Sequence, residues 1–361
     1  MTARTRFPDI SSRAWEHPAD RAALESLRKV PGFDLVVRKV MSLMSERPLR
    51  MITLGSAVEV GPDQFPRIHQ LYGEVLDVLD APRRYGLYIS QNPVINAGAV
   101  GMDDPFIVLS SGTVQLLDDE QLRVVIAHEV GHILSEHVLY KTMLRLLLKG
   151  GTLVLRMPLT GLALLAVVGA LLEWDRKSEL SADRASLLAC QDPDTVRAAL
   201  LRVAGGVGDG ASIHAFREQA RRYEEEGGVL DGVIKMLTLL NRSHPFPVLR
   251  LRELDRWIDS GDYQAVLDGD YPSRGDDPPP AEGGSWREAM GSYAEGAKDA
   301  TEPVGRFFRT AGEGAGKAAG AAWSWIRGRD EPPNADGPDP GPEPDPGYTV
   351  GPDGIINFDE E

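Results

Sequence analysis

The sequence predicts an α+β fold, mostly helical, with a small twisted sheet beside one central helix. Three observations carry that expectation. Apolar residues recur at helical spacing through most of the chain up to about Tyr271, punctuated by Pro and Gly. Three short apolar runs, 87–91, 95–100 and 105–110, are bounded by Gly, Pro, Asn and Asp, which suits short strands. Immediately after them, LRVVIAHEVGHILSEH keeps the helical period and places two histidines, His128 and His132, one turn apart on the same face.

Taken in order, 20–29 and 33–46 read as two short helices broken by Pro31-Gly32. The stretch 51–60 has the β-branched content of a strand, with a bulge expected at Gly55. A helix over 65–79 follows, burying Ile68, Leu71, Tyr72, Val75 and Leu79 and leaving His69 at the surface. After the three strands, Asp118 is placed to cap the helix that carries the histidine pair, with Gln121 at its third position. His137, five residues past His132, falls about 140° further round an ideal helix at ~100° per residue and is expected on the solvent side. The strongly apolar interval 143–172 is interrupted by Lys149-Gly-Gly151, Arg156 and Pro158. Its longest uncharged run falls short of the ~20 residues that cross a bilayer core, so a helical hairpin is expected, buried in the core, packed in a dimer or dipping into a membrane interface. Helices are then predicted near 193–203, 213–226, 229–240 and 247–258.

The chemistry concentrates at HEVGH. Neutral imidazoles at i and i+4 meet one zinc ion, which acidifies a bound water, and Glu129 stands where its carboxylate takes that water's proton. A third ligand is needed. The histidine that some zinc peptidases place six residues on is absent, because Ser135 and Val138 stand there. A glutamate on a later helix is the other route, and KSELSADR supplies Glu179, with Asp183 one turn beyond. Asp183 is then placed to accept the outward N–H of a ligating histidine. The plain alternative is an acidic pair neutralised by Arg184.

HEVGH, then ELSADR, then Ser243-His-Pro-Phe-Pro-Val-Leu-Arg250 resemble the pattern of HtpX-like and CAAX-prenyl-protease-type zinc metallopeptidases, gluzincins with HExxH and ExxxAD motifs. The likeness covers roughly Leu71 to Leu254. It implies a zincin-like metallopeptidase fold, one Zn2+ per subunit on His128, His132 and Glu179, Glu129 as catalytic base, and protein or peptide substrates, misfolded or membrane-proximal. It further implies that a substrate strand adds to the edge formed by Asn96, Ala97, Gly98 and Ala99. His244, between prolines' reach on a rigid loop, is expected to touch the reacting carbonyl oxygen or to close the site. Arg250 is expected to stabilise the oxyanion or to pair with Asp183. After Ala99 the chain reads VGMDDP, where the family has a paired glycine turn. The contrasting expectation is a catalytically silent, zinc-bound peptide-binding or chaperone-like protein.

Composition bounds the rest. The 361 residues carry a formal net charge of -15, which argues against a nucleic-acid partner. A single cysteine, Cys190, excludes an internal disulfide. The first residues lack the apolar core of a secretory signal, so a cytoplasmic protein is expected, with peripheral membrane contact open and oligomeric state unspecified. Domain boundaries are expected at 1–49 (helices packed on the catalytic domain), 50–270 (the metallopeptidase domain), 271–330 and 331–361. The third segment is a linker with an amphipathic stripe over 304–326, able to lie on a membrane, and the fourth is an acidic Pro/Gly-rich disordered tail.

Overall fold

The structure, a computed structural model, describes residues 4–43, 46–149, 161–206, 208, 210–226, 246–277, 348–350 and 356–358. The chain divides into two units, Met1–Ala300 and Thr301–Glu361. The first unit begins with α1 (Pro18–Arg28), which His17 caps by accepting from the Ala19 N–H, then α2 (Phe33–Leu43), α3 (Glu46–Ser56) and β1 (Ala57–Glu59). α4 (Pro66–Val78) leads to β2 (Gly86–Ser90), β3 (Ala97–Val100), β4 (Phe106–Ser110) and α5 (Ser111–Leu116). Next come α6 (Asp119–Leu134), α7 (Val138–Lys149) and the long α8 (Gly161–Cys190), then α9 (Pro193–Val203), α10 (Ile213–Glu226), α11 (Pro247–Asp259) and α12 (Asp262–Leu267).

Helices dominate and one small mixed sheet stands beside α6, as the α+β reading requires. Its strand order is β1-β2-β4-β3, with β2 and β4 parallel and both outer pairings antiparallel. β3 is therefore an outer strand. In its register with β4, Asn96 C=O accepts from Ser110 N–H (2.9 Å), so Asn96, Gly98 and Val100 face β4. By the alternation of an antiparallel ladder, Ala97 and Ala99 turn their backbone groups to the free edge.

Among the described residues, two apolar cores hold the helices. The larger gathers the sheet, α4, α6, the end of α8 and α9 to α12 around Val75, Ile107, Leu109, Ile126, Val130 and Leu188. The smaller packs Leu27, Phe33, Val36 and Val37 against Met143, Leu147, Val167, Leu171 and Trp174. The apolar interval 143–172 thus buries the described parts of α7 and α8 against the first two helices. Residues 150–160, where the hairpin turn is expected at the glycines, lie outside the described residues. Among those described, no helix is long and apolar enough to cross a membrane.

One element differs from the sequence reading. The stretch 51–60 is helical to Ser56 and extended only over Ala57–Glu59. Of its β-branched residues Val58 pairs with Ile89 in the sheet, whereas Ile52, like its neighbours Met51 and Leu54, is exposed on the helix. The helix is anchored at its start instead, where Glu46 accepts from the backbone N–H groups of Met102 and Asp104. Of the second unit the structure describes β5 (Tyr348–Val350) paired antiparallel with β6 (Ile356–Phe358), within the segment whose composition reads as a disordered tail. The predicted helix at 229–240 and the stripe at 304–326 lie outside the described residues.

Candidate metal centre

α6 and α8 make the site by crossing closely. Gly131 sits at the crossing, where a Cβ would lie 2.6 Å from the Ala185 Cβ and 3.4 Å from the Ala182 Cα. Only a residue without a side chain lets the backbones approach this far. The approach sets Glu179 of α8 opposite the two histidines of α6. Asp118 caps α6 as expected, accepting from the Gln121 N–H at 2.9 Å.

His128, His132 and Glu179 are all buried, and each offers one donor atom to a set lying within 4.8 Å of one another. His128 Nε2 is 3.3 Å from Glu179 Oε2, and His132 Nε2 is 3.2 Å from Glu179 Oε1. In a tetrahedral site with bonds of about 2.0–2.1 Å, two ligand atoms are separated by about 3.3 Å. Each imidazole nitrogen stands about that far from one of the two Glu179 oxygens, and the set of two imidazoles and one carboxylate suits a zinc-like ion. Charge points the same way: five carboxylates, Asp20, Glu129, Asp175, Glu179 and Asp183, are buried here beside the cations Lys141 and Arg250.

Each ligand has a second partner. His128 Nδ1 lies 3.1 Å from Asp183 Oδ1, and Arg250 grips Asp183 with Nε at 2.7 Å and Nη2 at 2.5 Å. The pairing role weighed for Arg250 is thus the contact it makes, while its Nη1 stands 3.5 Å from Glu179 Oε2. Burial alone would raise the Asp183 carboxyl, but Arg250 outweighs it and holds the group below its usual range. Burial likewise works against a charged His128, yet its bonds to Asp183 and Glu179 lift it to about 9. A site that draws a proton this strongly asks for positive charge. His132 is shifted the other way, first by burial and then by the charge of Lys141. Arg184, the alternative partner for the acidic pair, instead lies over the Trp257 ring, 5.0 Å from its centroid, and donates to the Glu16 carbonyl.

Glu129 projects toward β3, where its Oε2 accepts the Ala99 N–H at 2.7 Å. Arg145 Nη1 donates to the Ala99 carbonyl, also at 2.7 Å, and lies across Gly98, whose Cβ would come 3.0 Å from its Nη2. Both backbone groups of Ala99 on the free edge therefore meet side chains beside the metal ligands. Asn96 is engaged on the other side, with Ser110 and Thr113. His244 lies outside the described residues.

His137 overturns its expected solvent position. It is 4% exposed, with Nδ1 3.0 Å from His132 Nδ1 and Nε2 3.1 Å from Asp20 Oδ2. The extrapolation fails because α6 ends at Leu134 and Glu136 takes a positive φ of 57°, which swings His137 back inward. Lys141 was also unforeseen: its Nζ donates to Asp175 Oδ1 at 2.7 Å and to Glu179 Oε1 at 2.6 Å. A signal for it existed. Asp175, Glu179 and Asp183 repeat every four residues along one face of α8, and Lys141 and Arg145 do so on α7. Asp20, from a helix far upstream, leaves no comparable trace.

Comparison with known proteins agrees with this geometry. The model of peptidase family M48 matches residues 62–258. The plastoglobule-localized metallopeptidase 48 of the Arabidopsis thaliana chloroplast is 34% identical over 270 residues, covering 72% of this chain and 77% of that protein. A protease HtpX homolog of Caldanaerobacter subterraneus subsp. tengcongensis is 32% identical over 93 residues, 25% of this chain and 31% of its own. A second HtpX homolog, from Helicobacter pylori, is 39% identical over 69 residues, 19% and 22% of the two chains. No solved structure matches significantly.

Proposed function

Because the chain belongs to peptidase family M48 and is a metallopeptidase, we propose that it is an endopeptidase working with one zinc ion on His128, His132 and Glu179. The observation that carries this reading is the approach of those three donors to within 4.8 Å in a buried, anionic setting. Zinc there supplies Lewis acidity toward water and toward a peptide carbonyl. The remaining work falls to the chain's own side chains. Glu129 takes the proton from the attacking water and returns it to the departing amine. Asp183, kept ionised by Arg250, holds the N–H on His128 Nδ1 and so leaves Nε2 free for the metal. Lys141 fixes the Glu179 carboxylate.

Substrate is proposed to enter as a strand along the free edge of β3, pairing first with Ala97 and then with Ala99. That second contact requires Glu129 and Arg145 to release the Ala99 backbone groups, so substrate arrival and freeing of the base occur together. Such a site reads main chain more than sequence, which suits unfolded segments of proteins. His244 is proposed to reach the reacting carbonyl or to cover the site. Arg250 acts through Asp183 and, standing near Glu179, adds positive charge where the tetrahedral oxygen develops. Misfolded or membrane-proximal proteins as substrates, and peripheral contact with a membrane, complete the proposal.

The test is the Glu129→Gln protein, assayed on casein with its metal content measured. Hydrolysis is expected to fall by about 10²–10⁴-fold while zinc stays at one per chain. Unchanged hydrolysis would discard the assigned base, and wild-type protein without zinc would discard the metal assignment.

A further inference from the structure

The second metal histidine is held differently from the first, by a chain of groups that begins outside the matched family segment. Asp20 on α1 is 2% exposed and accepts from Ser181 Oγ at 2.6 Å; Ser181 in turn accepts the His17 N–H at 2.9 Å. From Asp20 Oδ2 the contacts run to His137 Nε2 at 3.1 Å and from His137 Nδ1 to His132 Nδ1 at 3.0 Å. The rings of His137 and His132 stand 5.3 Å apart at 61°, and Trp174 closes the other side of His137 at 5.6 Å.

The direction of each bond follows from the chemistry of the groups. An ionised carboxylate only accepts, so Asp20 keeps a proton on His137 Nε2. A neutral imidazole has one N–H, so in a neutral His137 that proton leaves Nδ1 as an acceptor. His132 Nδ1 then carries the N–H that fills it, and the lone pair of His132 is left on Nε2. That atom faces Glu179 Oε1 at 3.2 Å, where two electron-pair donors meet and a cation between them relieves the repulsion. The opposite order would put a proton on His132 Nε2 and block metal binding.

We propose that Asp20 and His137 are positioning residues that fix the tautomer of His132 so that its Nε2 is ready for zinc. The N-terminal helix thereby becomes part of the metal centre. This rests on the zinc reading above. It predicts that His128 and His132 depend on different supports, Asp183 with Arg250 for one and His137 with Asp20 for the other.

The experiment uses the full chain and zinc itself, with affinity measured by competition against a chromophoric chelator. Asp20→Ala and His137→Leu are expected to weaken zinc binding by about 10–100-fold. His137→Asn, whose amide oxygen accepts where Nδ1 did, is expected to recover most of the loss. A purely structural role for His137 predicts no such recovery. In parallel, 15N imidazole NMR of the wild-type zinc protein is expected to show His137 protonated at Nε2 and His132 at Nδ1. That readout needs no variant, so it decides the matter even if His137→Leu does not fold. Wild-type zinc affinity in Asp20→Ala and His137→Leu, or His137 protonated at Nδ1 in the zinc protein, overturns the relay and leaves the zinc reading standing. Wild-type protein that takes up no zinc overturns both.

Discussion

On the helix side of the candidate site, His128, His132 and Glu179 each touch a second buried polar group, and α6 and α8 are in contact through glycine and alanine. On the strand side, β3 is only four residues long, lies at the end of the sheet, and meets the site through the two backbone groups of Ala99. A buried polar network in which each member is braced by a second partner resists movement, since breaking any of those bonds leaves a costly orphan. An edge strand held by two side-chain contacts exchanges partners cheaply. The contrast suits a metallopeptidase: the metal side keeps one geometry while the peptide side trades internal bonds for bonds to substrate.

The largest test of the fixed side is removal of a ligand. Glu179→Ala is expected to abolish zinc binding and to reduce casein hydrolysis at least as far as Glu129→Gln does. It also strips Lys141 of one of its two buried acidic partners. Removing one member of a buried pair costs about 3–5 kcal/mol, reduced here because Asp175 remains. Retained zinc with lost stability would mean that Glu179 serves the lysine rather than the metal. Metal analysis and thermal melting on the same sample separate the two.

The next test addresses the crossing. Gly131→Ala adds a methyl group 2.6 Å from the Ala185 Cβ, a fixed atom with no rotamer to escape into. The expected cost is about 1–3 kcal/mol of overpacking, which exceeds the ~1 kcal/mol gained in helix propensity. Adding Ala185→Gly should return most of the melting temperature, because the two changes share one contact. Full stability in the single variant would show that the helix side is looser than its contacts imply.

The same contrast explains what the sequence reveals. The candidate ligands are legible because each motif lies on one helix, where a four-residue spacing fixes a shared face: His128 with His132, and Glu179 with Asp183. The strands at 86–90 and 106–110 are legible for the equivalent reason of short apolar runs between breakers. Contacts that join distant elements are not. Asp20 meets His137 across more than a hundred residues, and nothing local to either announces it. The inward position of His137 escapes the helical period because the helix end depends on one backbone turn, at Glu136, that its residue type does not favour. The same weakness hid α3: β-branched residues at 52 and 53 read as strand, while the anchoring of Glu46 to the 102–104 loop comes from tertiary structure.

A smaller effect is expected on the strand side. Arg145→Met removes the donor to the Ala99 carbonyl but keeps much of the side chain's apolar length. If the edge exchanges bonds with substrate, the loss falls on peptide binding, and KM is expected to change by about 3–10-fold, the net value of one ordinary hydrogen bond, with kcat held within about twofold. The sign is informative. A rise means that Arg145 helps hold the incoming strand, and a fall means that its bond to Ala99 competes with substrate. No change in KM with a large loss of kcat would place Arg145 on the fixed side instead. Steady-state kinetics on a peptide substrate, with zinc content checked, gives the answer.

The smallest effect probes the fixed side without altering it. Cys190 ends α8, is 3% exposed, and burial pushes its thiol up to about 12. At pH 8 the thiolate is scarce and the sulfur is out of reach, so a disulfide exchange reagent should modify the native protein only when α8 opens. The expected result is a single thiol that reacts slowly in buffer and at once in guanidinium chloride. In the proposed site zinc is held through Glu179 of the same helix, and so by its folded form, which means saturating zinc should slow the native reaction further. Arg145→Met should leave that rate unchanged, whereas Gly131→Ala should raise it, because only the latter loosens the helix crossing. Equal acceleration by both variants would mean that strand and helix sides open as one unit, and the difference drawn between them would not hold.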